Sequence, residues 1–510
     1  MAVEQTAQGG TMSGPIDIIT LVPRLVPYLS TALLALFLWF SFETPKTANF
    51  PLLNKKKEDF DIAGIDLVRN WLKKNGDQAV NVTSDAGPFT ILPSKYAHEL
   101  RDRPELNFAT LNYKKFHGGL PGFEAFREGT RPISAIVVNT YMTRSLARVI
   151  KPVAEEVNIA LRELYTESTD WREIAPGDLN MLVTTRATAR IFLGEGVCRD
   201  MDWVKTTCEY AGAIFVAADK LRKWPPILRP IVHWFIPACQ HTRSVMKRAR
   251  KIIQPVLEKR QELIAEGKSA TSFNDGAQWY EQASKDGQLE YDPVAAQLFL
   301  AVGSNHSTAD LLTQIMLQIA LHPEYVEPLC EEITTTILRD GWTHNALLKM
   351  GLMDSFMKES QRVKPVDLFT MRRLVTKDMT LSDGVFFPKS AMLSISALRM
   401  WDGTVHEDPD EFDGYRWLRM RQKDPSKESY AQFVAVTPDH MGFGFGEHSC
   451  PGRFFASNVI KTMLSHLLLQ YEWKLAEPSR PIKHQEWGGT LRVDPELRLL
   501  VRKRVNSIKI

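Results

Sequence analysis

Cys450 lies in the phrase Phe443-Gly444-Phe445-Gly446-Glu447-His448-Ser449-Cys450-Pro451-Gly452-Arg453, just before a helical pattern running from Phe454 to Tyr471. Pro451 suits the first turn of that helix, which puts Cys450 at its N-terminus. The positive end of the helix dipole lowers a thiol pKa there. The glycines let backbone approach a flat ligand and aim N–H groups at the sulfur. A thiolate in that setting is a good iron ligand, and on haem iron it donates electron density that favours O–O cleavage. The bland alternative is a glycine-rich turn around a structural thiol. The other cysteines, Cys198, Cys208, Cys239 and Cys330, are widely spaced and form no CxxC pair, so a zinc site and a disulfide framework are both disfavoured.

A second candidate region is the run from Asp292 to Leu321. Asp292 fits an N-cap and Pro293 the first helical position, and His322-Pro323-Glu324 ends the run. The segment is apolar on nearly every side, as a helix inside a large protein is. Its middle, Gly303-Ser304-Asn305-His306-Ser307-Thr308, is small and polar, which is costly in a core unless something there needs it. The bland reading is a polar kink in which hydroxyls bond back to the preceding turn.

A third feature is Glu359-Ser360-Gln361-Arg362, on a helix ending before Pro365. Spacing i,i+3 puts the carboxylate and the guanidinium on one face.

The phrase around Cys450 resembles the haem-binding signature of the cytochrome P450 family, F-x-x-G-x-[HR]-x-C-x-G, through Phe443, Gly446, His448, Cys450 and Gly452. The resemblance extends over nearly the whole chain. It implies haem b with Cys450 as the axial iron ligand. It implies that Glu359 and Arg362 meet a downstream arginine, and Arg416 in Asp413-Gly414-Tyr415-Arg416-Trp417 stands in the right order. It implies propionate partners at His448, at Arg373 in the strand after the E-x-x-R helix, and at Arg144, where Thr140 replaces the family's usual tryptophan. Gly303 to Thr308 stands where the family has [AG]-G-x-[DE]-T, so His306 takes the place of the acid and Ser307 that of the alcohol, with Thr308 beside it. That pair delivers protons during oxygen activation, and a histidine relays protons near neutral pH. The segment 223–230, Lys-Trp-Pro-Pro-Ile-Leu-Arg-Pro, has a fungal look and could dip into a membrane surface, or could simply connect two helices.

The elements that must position these residues read as mainly α with a minor β-sheet, the P450 fold. Helical spacing covers 153–165 and 243–265, with Pro255 expected to kink or split the second. Strands are short, as at Phe89–Leu92 and, after an Asp-Gly turn, Val385–Phe387. The stretch 25–42 carries no charge and is near the shortest able to span a bilayer, roughly 17–25 residues. Lys46 and Lys55-Lys56-Lys57 follow it, so the positive-inside rule leaves the bulk of the chain in the cytoplasm. The expected organisation is a lumenal tail over 1–24, a transmembrane anchor over 25–42, a linker over 43–60 and a haem-thiolate catalytic domain over 61–510. The match Asn81-Val82-Thr83 to a glycosylation sequon stays unmodified under that topology.

With 63 Lys+Arg against 60 Asp+Glu, and no basic stripe with interleaved aromatics, a nucleic-acid partner is not expected. The expected enzyme is a monomer in the endoplasmic reticulum membrane that inserts one oxygen of O2 into a lipophilic substrate. Likeness to fungal secondary-metabolism enzymes, ent-kaurene oxidase-like ones among them, suggests a terpenoid or indole-terpenoid. Residues before Ser307 and the Phe369-Thr370 stretch are the expected pocket lining. No nicotinamide or flavin motif is evident, so electrons would come from NADPH through a flavoprotein reductase. A haem-thiolate isomerase or dehydratase, and a non-catalytic haem binder, are the rival readings.

Overall fold

Apolar residues recurring at helical spacing close most of the chain into helices. The computed structural model describes residues 26–33, 35, 47–269 and 272–505. It divides the chain into two compact units, 1–45 and 46–510. Half of the expected anchor, 25–42, lies outside the described residues; 26–33 and 35 are helical and exposed. No helix among the described residues is long and apolar enough to cross a membrane.

The helices that build the second unit include α1 (Lys57–Asn75), α2 (Phe108–Lys115), α3 (Thr143–Leu164), α4 (Pro176–Phe192), α5 (Met201–Arg222), α6 (Pro237–Ala265), α7 (Pro293–Leu321), α8 (Val326–Asp340), α9 (Gly351–Val363), α10 (Arg416–Lys423) and α11 (Arg453–Gln470). The helix α6 runs on through Pro255 rather than splitting there. Both α3 and α6 start earlier than their charged outer faces suggest.

Strands are β1 (Val80–Ser84), β2 (Gly87–Leu92), β3 (Leu106–Asn107), β4 (Arg172–Ile174), β5 (Phe369–Val375), β6 (Met379–Thr380), β7 (Phe386–Phe387), β8 (Met392–Ser396), β9 (Tyr471–Leu475), β10 (Gln485–Trp487), β11 (Thr490–Arg492) and β12 (Leu499–Lys503). One sheet has the order β1-β2-β8-β5-β3, with β2 and β8 parallel and the other pairs antiparallel. The order β4-β12-β9 forms a second sheet, and two hairpin pairs, β6-β7 and β10-β11, complete the β-structure.

The expected linker over 43–60 is corrected by its packing. Ala48, Asn54 and Phe60 are buried, Leu53 N donates to Asn81 O, and α1 already starts at Lys57. These residues belong to the catalytic unit. Asn81 is itself buried, with Nδ2 donating to the carbonyls of Ala48 and Phe50, so its side chain is not available to a glycan.

The helix α7 is the axis of the unit. Asp292 caps it, accepting from the N–H groups of Val294 and Ala295. It packs against α4, α5, α9 and α11. Its buried face is mainly Leu, Ile, Ala and Met, each large side chain contributing roughly 1.5–3 kcal/mol by leaving water. Gln297, Thr313, Gln314 and Gln318 are buried polar residues outside the run at its middle.

Candidate active site

The Cys450 loop is fixed first by its own backbone. Cys450 N–H donates to Phe443 O at 2.8 Å, Ser449 N–H to Gly446 O at 2.9 Å, and Arg453 Nη1 to Cys450 O at 3.0 Å. Gly446 has φ +82°, and a Cβ there would lie 2.4 Å from Arg101 Cβ, so only glycine fits. Glu447 N–H is held by Asp102 Oδ1 at 2.9 Å. The expected helix start is corrected: Pro451 lies in a turn, Gly452 is the cap and α11 begins at Arg453. Cys450 therefore precedes the helix by a turn. The expected lowering of the thiol pKa is also corrected. Burial pushes the Cys450 thiol up, while the Gly452 N–H and the Arg453 charge pull against it.

Behind this loop the three expected network members do meet. Glu359 and Arg362 on α9 are fully buried. Arg362 Nε and Nη2 donate to the two Glu359 oxygens at 2.9 and 2.8 Å. Its remaining N–H groups reach the carbonyls of Met400, Pro409 and Glu411. All five guanidinium donors are thus used. Arg416 Nε reaches Glu359 Oε1 at 3.1 Å, from the first residue of α10 rather than from a loop.

Two further members escaped the sequence reading. Trp417 Nε1 donates to Glu359 Oε2 at 3.2 Å. Lys358, fully buried, donates to the carbonyls of Tyr430 and Gln432 and lies 4.4 Å from the Trp417 ring centroid. Burial pushes the Lys358 amine down to about 7, with Asp354 opposing and Arg421 adding to the drop. Their only sequence signal was adjacency to Glu359 and Arg416.

The three expected propionate partners share one property. Arg373, on β5, is buried and pushed down to about 10 by burial. Its Nη1 donates to Arg372 O at 2.8 Å, and the guanidinium lies over Phe108. His448 is exposed; burial of part of the ring and the nearby Arg373 charge push its imidazole down. Arg144 is exposed near the start of α3. None of the three has a carboxylate partner within 4.0 Å among the described residues.

On α7 the polar run divides by face. Asn305 points into the core and accepts from Thr188 Oγ1 of α4 at 2.8 Å. Ser304 bonds back to Leu300 O at 2.8 Å, as the bland reading expects. Ser307 and Thr308 make no such bond among the described residues. Thr308 is buried, while Gly303 and Ser307, one turn apart, are exposed. A Cβ on Gly303 would meet nothing within 4 Å. His306 Nε2 is buried without a partner. Burial and the Arg492 charge push its imidazole down to about 4, against Asp310 one turn along. His306 is therefore a neutral ring at pH 7, which corrects the expectation of a group titrating near neutrality. Phe369 also departs from expectation. It is fully buried against Phe60, at 5.6 Å between centroids. Thr370 is buried too, its hydroxyl against Met441 Sδ.

The sequence profile of the cytochrome P450 family matches residues 99–501. The chain belongs to the cytochrome P450 family. Cytochrome P450 monooxygenase 1 of Gibberella fujikuroi is 43% identical over 439 residues, spanning 85% of this chain and 99% of its own. Cytochrome P450 monooxygenase hepE of Aspergillus oryzae is 40% identical over 88% of this chain and 83% of its own. Dihydromonacolin L monooxygenase LovA of Aspergillus terreus is 34% identical over 94% and 93%. The fold is similar to that of a cyanobacterial P450, CYP120A1, solved with retinoic acid, with a TM-score of 0.67 at 16% identity over 90% of this chain and 99% of that one. The protein is a P450 monooxygenase, an oxidoreductase whose family cofactor is haem with a thiolate on iron.

The residues fit that group. A Cβ on Gly452 would meet only Met142 Cε at 3.9 Å and Cys450 Sγ at 4.0 Å, so space lies open beside the sulfur. Arg373, His448 and Arg144 are the cations and donors left without carboxylates, as acidic propionates require. Gly303 offers an open face on the helix across the core.

Proposed function

We propose that Cys450 is the thiolate ligand of haem b and that Arg373, His448 and Arg144 hold its propionates. Phe443, Gly446 and Gly452 shape the loop around the sulfur. The observation that carries the reading is a thiol in a loop fixed by its own backbone bonds, with open space beside the sulfur at Gly452. Haem bound there supplies the activation of O2 that lets one oxygen atom enter a C–H or C=C bond of the substrate. Ser307 Oγ, exposed and free of any back-bond, holds a proton for the oxygen side of the site. His306, neutral, presents an unpaired buried nitrogen one residue away that orders water rather than storing charge. Thr308 lies buried beside them.

The substrate is a lipophilic small molecule of fungal secondary metabolism, which we read as a terpenoid or indole-terpenoid; the fungal monooxygenases among the relatives support the coarser class. Electrons come from NADPH through a flavoprotein reductase. The enzyme sits on the cytosolic side of the endoplasmic reticulum membrane. The charge-free stretch 25–42 supports this, as do the exposed side chains of Trp224, Ile227, Leu228, Ile231, Trp234 and Phe235.

A carbon monoxide difference spectrum of the reduced protein tests the ligation. A strongly red-shifted Soret band is expected. Folded, haem-loaded protein without it overturns the assignment of Cys450. Turnover that proceeds without NADPH and reductase would instead favour isomerase or dehydratase chemistry.

A further inference from the structure

The helix α7 has a second polar face. Gln297, Ala301 and Asn305 follow one another at i, i+4 and i+8, which puts them on one side of the helix. The exposed residues Gly303 and Ser307 lie about 160° round the helix from Asn305. Behind the Gln297–Asn305 face, between α4, α5 and α7, is a cavity in which the centre of a water-sized sphere can move over about 10 Å³. Every side chain that lines it is buried. That is room for one water molecule and for nothing larger.

Thr188 of α4, Thr207 of α5, and Gln297 and Asn305 of α7 are polar residues in its lining. Thr188 Oγ1 donates to Asn305 Oδ1 at 2.8 Å and to Thr185 O at 3.1 Å. Thr207 Oγ1 donates to the carbonyls of Val204 and Trp203 at 2.9 and 3.1 Å. A hydroxyl has one hydrogen, so both threonines can only accept from a further partner. Gln297 is 3% exposed, and its Oε1 is buried with no partner among the described residues. Asn305 Oδ1 accepts from Thr188 and also from Ser304 Oγ at 3.1 Å, while its Nδ2 has no acceptor among the described residues.

A buried amide oxygen without a donor is costly, and in native proteins such atoms are met by protein or by ordered water. The groups here call for a ligand that donates twice and accepts once. It must also be neutral, because no charged side chain among the described residues lines the cavity. We propose that this cavity is a binding site for one water molecule, which donates to Gln297 Oε1 and to a threonine hydroxyl oxygen and accepts from Asn305 Nδ2. The water ties α4 and α5 to Asn305, the residue that already holds Ser304 and Thr188, and so anchors the polar run of α7 from behind. The site faces away from Ser307, so it stands or falls apart from the haem-thiolate reading.

The test is a high-resolution crystal structure of the full-length holoenzyme, beside those of Gln297→Met and Gln297→Glu. The first variant keeps the volume and removes the amide oxygen; the second keeps an oxygen in its place. The wild type and Gln297→Glu should show one water about 2.7–3.2 Å from the side-chain oxygen at position 297, and Gln297→Met should show none. In solution, amide hydrogen exchange at 301–305 should be about tenfold faster in Gln297→Met than in the wild type, the effect of losing one buried hydrogen-bond partner. Gln297→Glu should stay near the wild type. A dry cavity in the wild type overturns the proposal, as does a Gln297 side chain turned onto a protein partner. A water that persists in Gln297→Met, or equal exchange in Gln297→Met and the wild type, overturns it too. Occupancy is decided by the wild-type structure alone, whether or not either variant folds.

Discussion

Two parts of the candidate site follow opposite rules. Around Glu359 the ion pairs are satisfied: Arg362 uses all five N–H donors, and Glu359 accepts from Arg362, Arg416, Trp417 and the Asp413 amide. On α7, Ser307 Oγ and His306 Nε2 are left unpaired beside an open Gly303. The satisfied side is a frame whose loss is felt as instability. The unsatisfied side is where chemistry is done, and its polar atoms await partners that are not protein. Substitutions on the two sides should therefore separate stability from turnover.

The sharpest break is Cys450→Ala. Product formation should drop below detection and the red-shifted carbon monoxide band should vanish, while circular dichroism stays helical. Next is Glu359→Ala, which strands Arg362 and Arg416 in the core. A loss of about 3–5 kcal/mol in urea unfolding, with little haem retained, is expected. A Glu359→Ala protein with normal stability and haem content would end the framing role.

Ser307→Ala should do the reverse. Stability should change by less than about 0.5 kcal/mol, while product per NADPH falls by about 10²-fold at normal haem content. Trp417→Phe removes one hydrogen bond to Glu359 and weakens the contact with Lys358, which predicts about 1 kcal/mol of lost stability and near-normal turnover.

The smallest effect concerns pH. The His306 pKa lies near 4 in the folded state, below that of an ordinary histidine. The unfolded chain therefore binds the proton first as pH falls, and the stability this ring contributes is present above about 6.5 and lost toward 4. His306→Asn should flatten the pH dependence of the urea midpoint in that window, and the pH–rate profile between 6 and 8 should show no inflection from this ring.

What could be read from the sequence is what short spacing determines. The i,i+3 pair Glu359–Arg362 and the Asp292 cap each depend on neighbours within a few residues, and each is found where expected, whereas the helix after the Cys450 phrase starts a turn late. Arg416 was legible only through its order in the chain. The rest depends on burial, which spacing does not report. Local position predicted a lowered Cys450 thiol, but its surroundings raise it. Phe369 belongs to an aromatic cluster with Phe60 and Phe89 that unites α1, β2 and β5, a packing that local spacing does not announce.

Lys358 has a consequence for how the site comes into being. Its ammonium closes onto carbonyls 72 and 74 residues further along the chain, and Trp417 reaches Glu359 across 58. Contacts that far apart form late, because loop-closure entropy must be met before they give any return. Cys450 itself lies beyond all of them. A chain emerging from the ribosome therefore carries Lys358 unmatched until Tyr430 and Gln432 follow, while Glu359 already has Arg362. The contacts around Glu359 should therefore close late, and a shortage of haem at that stage should show as a fall in soluble protein.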